Sequence, residues 1–388
     1  MNKTIKIAIY SGEVPSTTFI ERLILGLSAG DVKIYLFGFI KSKIKYDNSI
    51  SVFGYKQTKI RKGLHLLKFS ILLLLFKNRE KTKLDKILNQ KQDNRLTSRV
   101  KYYPVLWYKP DIFHLQWAKG IDEWIWVKAF GMKLVVSLRG AHINYSPLAN
   151  EKLANTYKAH FPKVDAFHAV SNAISFEAQK YGAPKENINV IYSGINPDAF
   201  NNNANKENKI FRIVSVGRPH WKKGYTYALD AFKILKNKNF EFNYVIVGGK
   251  NNIELAYQIK DLGLEQHVTL VDQLTFKEVV NQIQSSDLLL LPSVEEGIAN
   301  VVLEAMALKT MVVTTDCGGM KEVITNHHNG FIVPIRDPEA MAKAIKEAKS
   351  LSDSDKESIL NNALETIQKN HSEKLMVGNM MHMYTNLF

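Results

Sequence analysis

Residues 287–307, DLLLLPSVEEGIANVVLEAMA, combine an apolar run (287–293), an acidic loop and an apolar helical pattern. An apolar run of this length is typical of a strand that a parallel sheet buries on both faces. Eleven further runs of this kind occur, with helical patterns between them. They are residues 6–11, 33–39, 111–116, 133–138, 166–171 and 188–193 in the first half, and 211–217, 242–248, 268–272, 310–315 and 330–334 in the second. Strands that alternate with helices predict parallel α/β units.

The two sets of runs predict an α/β fold with two Rossmann-like, doubly wound domains that face a cleft. A length of 388 residues fits two domains. The predicted parts are an N-terminal domain (1–195), a linker (196–209), a C-terminal domain (210–370) and a helix (371–388) that packs back on the first domain. The linker is predicted because its sequence is polar and rich in asparagine.

The composition is strongly basic, with 52 Lys and Arg against 37 Asp and Glu and a net charge of +15. Such a surface favours anionic partners, among them nucleic acid, acidic lipid and phosphorylated small molecules. No nucleic-acid-binding motif accompanies the charge, so nucleic acid is not an expected partner. The single cysteine, Cys317, indicates a reducing compartment, and the N-terminus lacks the apolar core of a signal peptide. We therefore expect a cytoplasmic protein.

The most apolar stretch, LHLLKFSILLLLF at 64–76, lies within a basic segment, 56–83. It is too short to cross a bilayer, which takes about 20 residues. An apolar segment with basic flanks can lie on an anionic membrane surface, which would place the protein on the inner face of the plasma membrane. The alternative is a buried helix of the first domain.

A basic loop follows the predicted strand 211–217 and precedes a helical pattern. Gly217 and Gly224 permit tight turns there, and Arg218 and Lys223 would lie at a helix N-terminus. Amide N–H groups, the helix dipole and two cations together suit a phosphate. The alternative is a solvated basic loop. Neither a GxGxxG nor a P-loop element occurs, so ordinary NAD binding and P-loop nucleotide hydrolysis are not predicted.

Two carboxylates flank the loop of the opening stretch. Glu296 follows the predicted strand, and Glu304 lies in the apolar helix that Asn300 is predicted to begin. Eight residues of continuous helix would separate them by about 12 Å along the axis, so they do not resemble the acid/base pair of a glycosidase. Glu304 could instead accept two hydrogen bonds from a vicinal diol such as a ribose. The alternative is a core glutamate satisfied by a lysine or a backbone amide.

Longer stretches of the chain are recognisable. EGIANVVLEAMALKTMVVTTDCGGMKEVI, 296–324, resembles the donor-site region of retaining glycosyltransferases of family four, which have the GT-B fold. Their pattern is a Glu-x7-Glu motif followed by G-G-x-x-E-x-V. VGRPHWKKGYTYALDAF, 216–232, is similar to their VGR…KG element. VSNAI, VIYSGIN, PSVEEG and PSTTFI also fall where that family has comparable segments, so the resemblance spans essentially the whole chain.

The resemblance implies a retaining hexosyltransferase of surface polysaccharide synthesis that needs neither a metal nor a tightly bound cofactor. Its donor would be a UDP- or GDP-sugar, held by the C-terminal domain. Its acceptor, held by the N-terminal domain, would be a growing saccharide or one linked to a polyprenyl diphosphate. Glu304 would hold the ribose, Arg218 and Lys223 the diphosphate, and Glu296 the donor sugar. The implied donor-binding residues are Gly217, Arg218, Lys223, Gly248, Gly249, Glu296, Gly297, Ile298, Ala299, Asn300 and Glu304.

The sequence departs from the family pattern at two places. Arg139-Gly140 stands where the family often has His-Gly, so either Arg139 or His142 would replace the histidine beside the donor sugar. Ile298-Ala299 stands where Phe-Gly or Phe-Ser is common, which would reshape the sugar pocket. The catalytic candidates are therefore Arg218, Lys223, Glu296, Arg139 and His142, and the acceptor-side candidates are Ser16, Thr17, His114 and Arg139. For His114 a structural role is the alternative.

Two other functions fit the same fold, because fold alone does not fix activity. One is a sugar-nucleotide epimerase, and the other is a non-catalytic scaffold that binds glycan or membrane. The D-x-D sequence at 353–355 is interpreted as a helix start rather than a metal site, since Ser354 and Glu357 have the spacing of a capping box.

Overall fold

The computed structural model describes residues 4–42, 44–200 and 210–388, which form two compact units. The first unit consists of residues 4–170, Ser175–Ile191 and Met376–Phe388. The second consists of Ser171–Ile174 and the described residues of Tyr192–Leu375.

Each unit is built on one parallel sheet. The strands of the first unit are β1 (Ile5–Val14), β2 (Val32–Ile40), β3 (Ile50–Val52), β4 (Ile112–Leu115), β5 (Lys133–Leu138), β6 (Ala166–Ala169) and β7 (Ile188–Val190). Those of the second are β8 (Phe211–Val216), β9 (Phe242–Val247), β10 (Val268–Val271), β11 (Leu288–Leu291), β12 (Met311–Thr315) and β13 (Phe331–Val333). The spatial orders are β3-β2-β1-β4-β5-β6-β7 and β10-β9-β8-β11-β12-β13. The predicted α/β class of two Rossmann-like sheets is thus confirmed.

Helices connect the strands, as parallel pairing requires. In the first unit they are α1 (Thr18–Ser28), α2 (Lys59–Phe76), α3 (Asn78–Gln90), α4 (Leu96–Tyr108), α5 (Ile121–Trp124), α6 (Ala141–Asn144), α7 (Ser146–Ala149), α8 (Glu151–His160) and most of α9 (Asn172–Gln179). In the second unit they are α10 (Tyr225–Asn237), α11 (Ile253–Asp261), α12 (Phe276–Gln284), α13 (Asn300–Ala307), α14 (Pro338–Ser350) and α15 (Asp353–Asn370). Most of α16 (Glu373–Thr385) belongs to the first unit.

The burial of β11 on both faces of the sheet explains why its sequence is apolar without alternation. Leu288 and Leu290 pack into a cluster with α10 and α14 on one face of the sheet. Leu289 and Leu291 pack into a second cluster, with α13 and α15, on the other face. Successive side chains of a strand point to opposite faces, so a sheet covered on both faces needs apolar residues at every position.

The strand orders fix where a ligand would be expected. The order reverses direction between β1 and β4 in the first sheet and between β8 and β11 in the second. In open parallel sheets, ligands bind beyond the carboxyl ends of the strands at such a switch point. A ligand is therefore expected near the loops that follow these four strands.

The unit boundaries differ in detail from the predicted domains. Residues 171–174 and 192–195 group with the second unit, although they were expected in the first. Most of the predicted linker, 201–209, lies outside the described residues. Phe200, a residue of the predicted linker, is buried in the core cluster that contains the apolar residues of α13. It is therefore not part of an exposed linker. In α16, Met376, Met380 and Tyr384 are buried in the core around β1 and β2.

The basic apolar segment 56–83 contains all of α2 and the first part of α3, residues 78–83. The interpretation of α2 as a buried helix is wrong for most of its length, because only Phe69 and Leu73 among its residues are buried. No helix within the described residues is long and apolar enough to cross a membrane.

Candidate functional site

A buried ion pair lies at the switch point of the second sheet. Lys223, after β8, donates from Nζ to Glu296 Oε1 at 2.6 Å, and Glu296 lies in the loop after β11. The hydroxyl of Ser293 donates to the same carboxylate oxygen at 3.1 Å, and Lys222 Nζ lies 3.8 Å from the other oxygen. Glu296 is only 8% exposed. The structure therefore brings together two of the predicted catalytic residues, 73 positions apart in the chain.

Two glycines allow the loops around this pair to approach each other. Gly224 has φ +63°, and a Cβ there would lie 2.0 Å from the carbonyl oxygen of Pro292. Gly318, in the loop after β12, has φ +54°, and a Cβ there would lie 1.8 Å from the carbonyl oxygen of Glu296. Neither distance is compatible with a side chain, and left-handed backbone favours glycine. These positions thus fix the backbone on both sides of Glu296.

The helix α13 holds the second glutamate of the motif. It begins at Asn300, as the sequence predicted, and buries Val302, Leu303 and Met306 against the sheet. Glu304 lies on this helix and is only 8% exposed. The side-chain oxygen of Asn300 is buried and has no hydrogen-bond partner within the described residues. The first turn of α13 also presents backbone N–H groups that a helix leaves unsatisfied. This end of α13 is therefore suited to a polar, anionic ligand.

The other predicted donor-binding residues lie on the same edge of the sheet. Gly217 and Gly248 follow β8 and β9, and a Cβ on Gly248 would lie 2.9 Å from the carbonyl oxygen of Gly217. Gly249 follows Gly248 in the same turn, and Arg218 follows Gly217 with an exposed side chain. In the loop after β11, the carbonyl oxygen of Gly297 accepts from the N–H of Gly319, and Ile298 and Ala299 lead into α13.

Glu322, the glutamate of the G-G-x-x-E element, makes contacts that the sequence did not predict. Its carboxylate accepts from the backbone N–H groups of Asn172 and Ala173, at 2.8 and 2.9 Å, in the first turn of α9. The hydroxyl of Tyr192 donates to it at 3.0 Å. An anion at the first turn of a helix satisfies N–H groups that have no intrahelical partner. These contacts indicate a structural role for Glu322.

Cys317 is part of the same buried environment. Burial raises the pKa of its thiol to about 12, so the thiol is protonated at neutral pH. A protonated, buried thiol is a poor nucleophile. The candidate site therefore does not rely on cysteine chemistry.

The acceptor-side candidates lie at the edge of the first sheet. Ser16 and Thr17 follow β1, where the backbone N–H of Ser16 donates to Glu21 and Thr17 precedes α1. Arg139 follows β5 and donates to the side-chain oxygen of Gln116 at 3.0 Å. His142 lies in α6, with its ring 5.2 Å from that of Trp117.

His114 is fully buried in this unit. Its ring nitrogens are hydrogen bonded to Tyr384 at 2.6 Å and to Ser137 at 2.8 Å. Ser137 is bonded in turn to His168, whose other ring nitrogen donates to the carbonyl of Ile191. This geometry favours the structural alternative for His114. The chain of contacts escaped prediction because it joins residues from separate strands and from α16.

The described residues contain no group of three or more His, Cys, Asp or Glu side chains placed to hold a metal ion. The D-x-D sequence begins α15, as expected from the sequence. The capping residue is Ser352 rather than Ser354, and its hydroxyl accepts from the N–H of Asp355 at 3.1 Å.

Two family models match adjacent parts of the chain. Residues 85–199 match Glycosyltransferase Family 4, and residues 196–365 match Glycosyl transferases group 1. The second match contains all the residues of the candidate donor site, and the first contains Gln116, Arg139 and His142.

Curated relatives carry names from polysaccharide synthesis. The amylovoran biosynthesis glycosyltransferase of Erwinia amylovora is 31% identical over 224 residues, which cover 56% of this chain and 55% of that protein. The O-antigen chain mannosyltransferase of Salmonella typhimurium is 30% identical over 181 residues, 45% of this chain and 48% of that protein. The chain thus spans about half the length of these relatives.

Solved structures share the fold over the whole chain. The Anabaena protein HepE, crystallised with UDP-glucose, superposes with a TM-score of 0.68 and covers 99% of both chains at 16% identity. A sequence identity of 16% is evidence for a shared fold and for nothing more specific. The two parallel sheets and this likeness show the GT-B fold, and the two family models show that the chain is similar to glycosyltransferases of group 1 and family 4.

Proposed function

We propose that the protein is a retaining glycosyltransferase that moves a hexosyl group from a UDP- or GDP-sugar to a growing or lipid-linked saccharide in surface polysaccharide synthesis. The observation that carries the proposal is the buried Lys223–Glu296 pair at the switch point of the second sheet, followed along the chain by the buried Glu304 of α13. The names of the curated relatives support the polysaccharide, and the UDP-glucose held by HepE supports the donor class.

In the proposed reaction the bond between the sugar C1 and the diphosphate oxygen breaks. A new bond forms from C1 to an acceptor hydroxyl oxygen, and the hydroxyl proton passes to the departing diphosphate. Negative charge grows on the diphosphate, and Lys223 and Arg218 would stabilise it. Glu296, held by Lys223, would accept hydrogen bonds from the sugar hydroxyls, and Glu304 would accept them from the ribose. Two fixed cations perform the task that a divalent metal performs elsewhere.

The donor assignment is tested by thermal unfolding of the whole protein with a panel of UDP- and GDP-sugars. The correct donor at about 100 times its Kd should add about 2.7 kcal/mol to the free energy of unfolding. Glu304→Ala should lose this stabilisation, and Glu365→Ala, which removes an exposed glutamate of α15, should keep it. Stabilisation of both variants by the same amount as wild type would refute the ribose role of Glu304.

The chemistry is tested with the donor that this panel identifies. Transfer without change of anomeric configuration, read by NMR of the product, supports retention, and undiminished rates in EDTA support independence from a metal. Conversion of the nucleotide sugar without any acceptor would instead identify an epimerase. No effect of any nucleotide sugar on unfolding would favour a non-catalytic scaffold.

We further propose that α2 holds the protein on an anionic membrane surface, where a lipid-linked acceptor would lie. Apart from Phe76 at its C-terminal end, the exposed large apolar residues of α2 are Ile60, Leu64, Leu67, Ile71, Leu74 and Leu75, with exposures between 46% and 77%. At 100° per residue, these positions fall within an arc of about 100° on one face of the helix. Exposed Lys59, Arg61 and Lys68 border the stripe. Apolar insertion and cation attraction to acidic lipid add in such a helix.

Membrane attachment is tested by sedimentation with vesicles that contain phosphatidylglycerol. We expect the wild-type protein to pellet with them at low salt and to remain in solution with phosphatidylcholine alone, since each cation near an acidic surface contributes about 1 kcal/mol. Leu67→Glu with Ile71→Glu should abolish pelleting. The matched control is Ile253→Glu with Tyr257→Glu, at exposed apolar positions of α11. Equal pelleting of both double variants would refute the role of α2.

A further inference from the structure

The first unit contains a partly buried cation without an anionic partner. Arg139 forms no ion pair with any carboxylate among the described residues, and its buried Nε–H has no acceptor there. Its contacts are the side-chain oxygen of Gln116, at 3.0 Å, and the face of Phe19, whose ring centre lies 4.7 Å from the guanidinium carbon. Withdrawing a charge from water without pairing it is costly. An arrangement of this kind indicates that an anion belongs beside it.

Gln116 supplies a second, independent sign. Its side chain is completely buried, directly after β4. The guanidinium fixes the amide orientation, because only the oxygen of Gln116 can accept from Arg139. The amide nitrogen therefore makes no bond to Arg139, and it has no hydrogen-bond partner within the described residues. A buried N–H group without an acceptor typically costs about 1–3 kcal/mol. Arg139 and Gln116 thus present unsatisfied donors side by side.

The buried histidines nearby do not supply the missing anion. The carbonyl of Ile191 can only accept, so His168 donates to it and accepts from Ser137 at its other nitrogen. With that assignment, His114 donates to Ser137 and accepts from Tyr384, and every member of the chain is neutral. Burial, reinforced by the charge of Arg139, lowers the pKa of His168 to about 3, which keeps it neutral.

The positive potential near Arg139 has a second source. Phe19 is the second residue of α1, so the ring under the guanidinium belongs to the first turn of that helix. The N-terminus of a helix carries partial positive charge and favours anions. Glu21, the acidic residue of that turn, already accepts from the N–H of Ser16 and from the hydroxyl of Tyr46. Burial lowers the pKa of Arg139 to about 10, so it remains charged at neutral pH.

We propose that Arg139 and Gln116 form a subsite of the first unit for an anionic group, a carboxylate or a phosphate, on the saccharide substrate. This inference rests on the proposed glycosyltransferase function and adds that the saccharide held by the first unit is acidic or phosphorylated. The oxygens of such a group only accept hydrogen bonds, and so they match the unsatisfied donors of the pair. A neutral hexose would leave the charge of Arg139 uncompensated.

The subsite is tested by thermal unfolding with three probes: inorganic phosphate, D-glucuronate and D-glucose. All proteins carry Lys223→Gln and Arg218→Gln, so that the two cations assigned to the diphosphate in the candidate donor site are absent. We expect phosphate or glucuronate, but not glucose, to raise the midpoint of unfolding. A shift with phosphate alone indicates a phosphorylated saccharide, and a shift with glucuronate alone indicates an acidic sugar. Arg139→Gln should lower the affinity for the anion about 10- to 100-fold, as expected when a hydrogen bond to a charged group is lost.

Two further variants separate this subsite from other effects. Gln116→Glu places a carboxylate against Arg139 and should abolish the anion effect while leaving the protein folded. Arg95→Gln removes a cation from the surface of the same unit and should change nothing. An equal anion effect in Arg139→Gln, an equal effect of glucose, or no anion effect at all would overturn the subsite. Failure of every UDP- and GDP-sugar of the panel to stabilise the wild-type protein would instead count against the proposed function.

Discussion

Replacement of Lys223 by methionine is expected to lower the rate of sugar transfer about 10²- to 10³-fold, the usual cost of losing one group that stabilises developing charge. The substitution keeps the apolar stem of the lysine and removes only its charge. Initial rates with the donor found by the nucleotide-sugar panel measure the effect. A wild-type rate in this variant would remove Lys223 from the reaction.

The same substitution should also destabilise the second unit. Glu296 is 8% exposed, and without Lys223 it loses the cation at 2.6 Å, while the Ser293 hydroxyl and Lys222 at 3.8 Å remain near it. Leaving a buried charge without its partner costs about 3 kcal/mol. The double variant, Lys223→Met with Glu296→Gln, also removes the negative charge of Glu296. It should therefore recover most of the stability and none of the activity.

A double-mutant cycle separates the two effects. The free energies of unfolding of the two single variants and the double variant, from urea titrations, give the coupling between the residues, which we expect to be about 1–3 kcal/mol. A coupling near zero would mean that the pair does not form in solution. Full activity in the double variant would mean that the pair serves the fold alone.

Acidification from pH 7 to pH 5 is expected to cost the first unit about 2 kcal/mol of stability through His168, with a further loss through His114. Burial lowers the pKa of His168 to about 3 and holds the pKa of His114 well below its usual range. His168 is neutral in the folded unit at pH 5, and both histidines are mostly protonated in the unfolded chain at that pH. The stability contribution of His168 is therefore complete above about pH 6.5 and falls as the pH drops, by about 2 kcal/mol at pH 5, and the contribution of His114 has the same sign.

His168→Gln removes one of the two titrating groups. The difference in unfolding free energy between pH 7 and pH 5 should shrink by about 2 kcal/mol in this variant. Tryptophan fluorescence is a suitable signal, since four of the five tryptophans, Trp107, Trp117, Trp124 and Trp126, lie in the first unit. The same pH dependence in variant and wild type would show that His168 does not govern acid unfolding.

The apolar runs of the sequence predicted twelve of the strands, because a strand buried on both faces is apolar at every position. The strand β3 (Ile50–Val52) escaped prediction, since three residues are too few to form a recognisable run. The exposure of α2 could not be predicted either. The sequence of an apolar helix does not reveal whether another part of the protein covers its outer face.

Contacts between side chains of different strands depend on register, which the sequence does not reveal. Ser137 faces His168 because β5 and β6 pair these two residues directly. A shift of one residue would turn every side chain of a strand to the other face. The sequence therefore identified Lys223, Glu296 and Arg139 as candidates, but neither the ion pair of the first two nor the unsatisfied donors beside Arg139.

The place of α16 in the first unit has a consequence for synthesis on the ribosome. Met376, Met380 and Tyr384 complete a core that contains Ile7 and Ile34, and Tyr384 is hydrogen bonded to His114. The chain supplies these residues only after all of the second unit has been made. At about 5–20 residues per second, the earlier segments of the first unit wait about 10–40 s for them. During translation, the unit that is begun first is thus the one that is finished last.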